Sequence, residues 1–304
     1  MDGSGMPENS ERTFLERITS DEGFIRFCKV YSDCLLRYKG AMMGYLGTQF
    51  SIPSDTLLGI YSDCYSAAGN PNRLLDYIYS MTPNEDELTY SQSFGAALLA
   101  GAFADWLGYP EEKKRKLILC GFYYDIGKWK LPSDILWKPG KLSDEEFALV
   151  RQHTLIGYKL VKDDTALSED IKKCILMHHE KIDGSGYPLK LTGDKINEYA
   201  RFLSIVDTYI AMASPRAFRE AFTPLQIIGA FERDIDKYDT KILVPLIEKI
   251  AEAQIGTTVE LNDGSRCEVV FINKNPYSRP MVKNKDNVVI DLKDNSTLQI
   301  VRMI

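Results

Sequence analysis

Leu117-Ile118-Leu119-Cys120-Gly121-Phe122-Tyr123-Tyr124-Asp125-Ile126-Gly127-Lys128 is the stretch from which the fold of this chain can be read. Leu117, Gly121, Tyr124 and Lys128 recur at helical spacing, and Ile118, Phe122 and Asp125 line the neighbouring strip. The segment therefore predicts a helix ending at Gly127, with Asp125 on its buried side. A buried carboxylate must be paired, hydrogen-bonded or bound to a metal, so Asp125 needs a partner. Lys128 one turn on, a helix cap or a metal ion would each serve.

Working outward, the apolar residues from Ser91 to Leu107 repeat with helical spacing, and Gly108-Tyr109-Pro110 ends that helix before a basic start, Glu111 to Lys116, of the next. Ser143-Asp144-Glu145-Glu146 reads as a capping box that opens a helix through His153. Ser168-Glu169-Asp170 caps another that runs through His178. Residues 1–10 are small and polar and are expected to be disordered; 11–82 read as helices with a loop around Ser51-Ile52-Pro53-Ser54 and carry no recognisable chemical motif. After Gly256 the pattern changes to short β-branched runs, Thr257 to Leu261, Arg266 to Ile272, Val288 to Leu292 and Leu298 to Val301, with Asn262-Asp263-Gly264 as a hairpin turn. The expected fold class is all-α: an N-terminal helical region (11–82), a helical domain (85–253) and a small β-rich appendage (254–304) docked on the helices.

Composition narrows the function. A formal net charge of −6 argues against a general grip on a nucleic acid polymer. The longest apolar patch, near Ala96 to Leu107, is broken by Asp105 and falls short of the roughly 18 to 20 residues that span a bilayer. The start, Met1-Asp2-Gly3-Ser4-Gly5, lacks the basic and apolar regions of a secretory signal. Six scattered cysteines with no CxxC pair suit a reducing compartment, and the expectation is a cytoplasmic protein.

There are only three histidines, so any imidazole metal site must draw on them. His178 extends the apolar face of Ile171, Cys174 and Ile175, with His179 about 100° round the helix from it. His153 follows Phe147 and Val150 at helical spacing, and Asp207 follows Leu203 on the face shared with Ile210. Singly, each is an ordinary core or surface residue; together with Asp125 they make three imidazoles and two carboxylates, a set that suits Fe, Mn or Zn better than Mg or Ca. Asp183-Gly184-Ser185-Gly186-Tyr187-Pro188 follows the histidine pair as a turn that carries an aromatic ring beside it.

These blocks, in order, resemble the HD-GYP family, bacterial metal-dependent phosphodiesterases of cyclic di-GMP, over about residues 85–304. The anchors are Asp125-Ile126-Gly127-Lys128, Leu131 to Leu136, Lys138-Pro139-Gly140-Lys141-Leu142, Gln152-His153, and His178-His179-Glu180 running into Asp183 to Pro188. Ala200-Arg201 to Val206-Asp207 and Arg216-Ala217-Phe218-Arg219 complete the match. The resemblance implies an all-helical bundle of HD type around a centre of two or three metal ions.

By position, the resemblance makes Asp125, His153, His178, His179 and Asp207 metal ligands, and Asp125 with Lys128 the catalytic pair. It gives Arg216 and Arg219 to phosphate binding, and Gly186 and Tyr187 to a rim loop that contacts substrate and GGDEF-type cyclase domains. The chain departs from the family's pattern at two ligand positions, where Gln92 and Tyr124 stand in place of histidines. The second carboxylate of the late Asp-x-x-Asp pattern is Ile210. A neutral amide and a neutral phenol are poor ligands for a transition metal. The expectation is thus a degenerate copy that binds cyclic di-GMP or a signalling partner, keeps about one Fe or Mn per chain at reduced occupancy, and has weak or no phosphodiesterase activity. The alternative is an active phosphodiesterase with a rearranged site; a homodimer is left open.

Overall fold

The computed structural model describes residues 13–48, 50–81, 88–136, 138, 140–214 and 221–304. The expectation of disorder over 1–10 lies outside them. The N-terminal part is helical: α1 (Phe14–Thr19), α2 (Glu22–Thr48), α3 (Ser54–Ala68) and α4 (Pro71–Ser80). Then follow α5 (Leu88–Trp106), α6 (Glu111–Tyr123), the single turn α7 (Ser133–Leu136), α8 (Asp144–Arg151), α9 (His153–Val161), α10 (Glu169–Met177), α11 (Glu198–Ala213), α12 (Pro224–Arg233) and α13 (Thr240–Glu252).

The centre of the molecule is α5. It is apolar on every side, with Phe94, Leu98, Leu99 and Phe103 fully buried, as a helix enclosed by others must be. It packs against α6, α11, α4 and α2. The approach of α6 is close because Gly121 lies on the backbone of Ala97, where a Cβ would meet main-chain atoms at 2.5 Å. Gly108, at φ +64, supplies the left-handed residue that ends α5, as its sequence suggested.

The expected caps are present. Ser143 and Glu146 form a reciprocal capping box at α8, and the Ser168 hydroxyl accepts from the Ile171 amide at α10. Two boundaries differ from the sequence reading, and both differences shape the site. The α-helix expected to end at Gly127 stops at Tyr123, and the chain continues as a 3-10 helix, Ile126–Lys130. A Cβ on Gly127 would strike the carbonyl oxygen of His153, so this segment is fixed by its contact with α9. The helix expected to run through His153 instead breaks at Gln152, and His153 begins α9. The carbonyls of Val150 and Arg151 at the break are taken by His153 Nδ1 and Thr154 Oγ1.

The C-terminal residues form an antiparallel sheet in the order β4-β3-β2-β1-β5, from β1 (Thr258–Leu261), β2 (Arg266–Phe271), β3 (Met281–Asn284), β4 (Val289–Asp291) and β5 (Ile300–Met303). Val259 faces Cys267 across the predicted hairpin, whose Gly264 has φ +82. The sequence reading missed β3, because Met-Val-Lys-Asn holds one β-branched residue. Two contacts seat the sheet on α12: Gln226 donates to the Ile300 carbonyl, and Glu232 accepts from Tyr277 N and Ser278 Oγ.

Candidate metal centre

Four side chains from three segments meet in the interior. Asp125 follows α6, His153 opens α9, and His178 and His179 follow α10; one ligand atom from each lies within 4.8 Å of the others. Asp125, His153 and His178 are fully buried, and His179 is half-buried.

Protons are scarce where these groups converge. His153 Nδ1 donates to the Val150 carbonyl at 2.7 Å, and His178 Nδ1 donates to the Ile175 carbonyl at 2.9 Å. In the neutral rings the Nε2 atoms then carry lone pairs, and these two atoms stand 3.2 Å apart. Asp125 Oδ1 lies 3.3 Å from one and 3.7 Å from the other, and finds no hydrogen-bond donor. Burial, the largest influence on each, holds all three histidines below their ordinary pKa, so they are neutral near pH 7. Three acceptors pointed at one another without a proton between them are what a cation requires. A backbone carbonyl fixing the far nitrogen is the usual support of a ligating imidazole. The donor set, three imidazoles and a carboxylate, fits one transition-metal ion.

The other Asp125 oxygen pairs with Lys128 Nζ at 2.6 Å. The ion pair and the metal-ligand geometry, alternatives at the level of sequence, therefore use different oxygens of one carboxylate. Asp207, on α11, stands just outside the cluster, with Oδ2 3.8 Å from His179 Nδ1. Tyr187 stacks on His179 at a centroid distance of 4.7 Å, and the Arg151 guanidinium lies 5.0 Å from the Tyr187 ring centroid. Gly186 is pressed on the backbone of His179, Glu180 and Lys181, leaving no room for a side chain.

Of the two departures, Tyr124 is fully buried, with its ring edge-on to His178 at 5.0 Å. Burial first, and then the charges of Asp125 and Asp207, push its pKa well above 10, so it is a neutral phenol. Gln92 is half-buried on α5. Arg216 and Arg219 lie outside the described residues.

Sequence reasoning gave no role to Glu180 or Arg151. Glu180 is buried and accepts from the amides of Leu189 and Leu191 at 2.6 and 3.0 Å, tying down the loop that holds Tyr187. Its signal was an acid placed directly before a glycine-rich turn whose amides need acceptors. Arg151 had only its place two residues before His153.

Fold and site together define a mostly helical protein with a small C-terminal sheet and a buried histidine–aspartate cluster able to hold a metal ion. Residues 77–242 match the family described as HD domain. A cyclic di-GMP phosphodiesterase of Pseudomonas aeruginosa is 33% identical over 218 residues, covering 72% of this chain and 52% of that protein. The cyclic di-GMP phosphodiesterase PdeB of Borreliella burgdorferi is 29% identical, covering 69% and 56%. The chain thus spans about half the length of these curated relatives. Among solved structures, an HD-GYP protein of Bdellovibrio bacteriovorus, Bd1817, shares the fold with a TM-score of 0.57 at 18% identity, over 78% of this chain and 75% of that one. The chain belongs to the HD domain family.

Proposed function

We propose that this chain is a degenerate HD-GYP protein of cyclic di-GMP signalling, one that binds the dinucleotide and holds a single Fe or Mn ion, with phosphodiesterase activity weak or lost. The observation that carries this reading is the contrast within one site. Asp125, His153, His178 and His179 converge as a complete four-ligand set, while Tyr124, in the position of a family histidine, is a buried neutral phenol. The names of the relatives supply the substrate.

A bound ion would supply Lewis-acid stabilisation of charge on a phosphodiester oxygen. The protein's own groups do the rest. Asp125 divides its carboxylate between the ligand set and Lys128, which holds the lysine beside the cluster. Lys128 then offers a point charge to a phosphate, and Arg216 and Arg219 are assigned the remaining phosphate contacts. Asp207, turned toward His179 from just outside this set, is assigned as a fifth ligand. Tyr187 and Gly186 form the rim that meets the dinucleotide and, in a complex, a GGDEF-domain partner. We place this chemistry in the cytoplasm and leave a homodimer compatible with it.

The test is elemental analysis of anaerobically purified protein alongside calorimetric titration with cyclic di-GMP. About one Fe or Mn per chain, binding of the dinucleotide and slow hydrolysis are expected. Hydrolysis at the rate of a relative with all its histidines, together with metal near two per chain, would replace this reading by that of a working enzyme with a rearranged site. The relatives' names favour that second reading.

A further inference from the structure

We propose that a cavity walled by α1, α4 and the residues leading into β1 binds a free α-amino acid with an apolar side chain. The cavity holds about 340 Å3 and shares no residue with the metal centre. That volume lies at the small end of the range of roughly 300 to 1,000 Å3 typical of ligand pockets, and suits a small metabolite.

Two of its walls carry opposite charges that do not satisfy one another. Asp76, on α4, faces the cavity and has neither an ion pair nor a hydrogen bond among the described residues. Burial alone accounts for the rise of its pKa to about 6. A carboxylate kept in such a place without a partner lowers stability, and hydrophobic replacement would relieve it. Arg17, on α1, spends Nη2 on the Ile304 backbone carbonyl oxygen at 2.5 Å, but its Nε is buried with no acceptor. No ion pair joins Arg17 to Asp76. A third charge, Asp21, is already occupied: it accepts from the Phe24 amide and the Tyr77 hydroxyl at the start of α2.

The unfilled groups define the ligand. An anion alone would leave Asp76 unpaired, and a cation alone would leave Arg17 unpaired. A zwitterion pairs its ammonium with Asp76 and its carboxylate with Arg17, and the exposed Arg73 beside the same cavity reinforces the second contact. Phe14 and Ile18 offer an apolar wall to the remainder of the molecule. Because Gly256 and Thr257 close the far side, the ligand would tie the N-terminal helices to the base of the sheet. This gives the N-terminal helices, which the sequence left without a role, a sensing function independent of the nucleotide site.

The experiment is the thermal midpoint of the full chain with each common amino acid at millimolar concentration, followed by calorimetric titration of those that raise it. At least one apolar amino acid should raise the midpoint, and its amine and acid analogues, each lacking one charge, should not. Asp76→Asn should raise the midpoint of the ligand-free protein and weaken binding roughly tenfold or more, as removal of a charge-assisted contact does. Arg17→Gln should weaken binding similarly and serves as the second variant if the first does not fold. If no amino acid shifts the midpoint, or if an analogue with one charge binds as well, or if folded variants bind undiminished, the proposal is overturned.

Discussion

His153 and His178 bring their Nε2 atoms to 3.2 Å although both rings have committed their protons to backbone carbonyls on the other side. In the metal-free protein these lone pairs, with Asp125 Oδ1 beside them, repel one another.

Metal should therefore stabilise the fold and not merely serve chemistry. Chelation should lower the thermal midpoint, and restoring Fe or Mn should raise it. At a free metal concentration of about 100 times its dissociation constant the gain is about 2.7 kcal/mol. Differential scanning calorimetry with and without chelator reads this directly, and an unchanged midpoint would count against the site.

The double substitution Gln92→His with Tyr124→His should raise metal content toward two per chain and increase cyclic di-GMP hydrolysis by an order of magnitude or more, about the effect of restoring a missing charge-stabilising group. Elemental analysis and product chromatography measure the two together. No gain in either would mean that the surroundings of the site have drifted as well.

Glu180→Ala should free the loop that carries Tyr187. It strips two backbone amides of their buried acceptor, a loss of about 2 to 4 kcal/mol for two such bonds. Chemical denaturation should show the destabilisation, and limited proteolysis should cut between Asp183 and Leu191 in the variant before the parent protein.

Asp76 should impose an unusual pH dependence. Its folded-state pKa, about 6, lies above the ordinary 3.8, so between these values the folded protein holds a proton that the unfolded chain has released. This contribution is complete below the unfolded value and is lost as pH rises through about 6, with a total of order 3 kcal/mol. Urea denaturation from acid to neutral pH should show a shallower decline for Asp76→Asn, which should also be the more stable protein at pH 7.

Much of the site was legible because polar residues on apolar faces are conspicuous. Asp125 beside Ile118 and Phe122, and His178 after Ile175, stand out against their helical strips; the capping residue Ser168 located α10, which leads into His178 and His179, and Ser143 located α8, which precedes the helix that His153 opens. What sequence did not show was where those helices stop. A 3-10 helix and an α-helix place side chains at nearly the same short spacings, so periodicity carried the reading past Tyr123 to Gly127. The break at Gln152 depends on side chains of His153 and Thr154 taking carbonyls, a tertiary arrangement that leaves no mark on apolar spacing. The position of Tyr124 came from likeness to a family; its contact with the His178 ring came only from the fold.

Gly127 and Gly157 meet where the segment after Asp125 crosses α9. A Cβ on the first would strike the His153 carbonyl, and a Cβ on the second would lie 3.2 Å from the Gly127 amide nitrogen and 2.8 Å from an Ile175 methyl. The gauge of the ligand cage, the spacing between Asp125 and the imidazole of His153, is thus set by two residues that have no donor atoms to offer. A single methyl at either would spread the cage while leaving every ligand in place, so the centre can be silenced by changes that no inventory of histidines and aspartates would reveal.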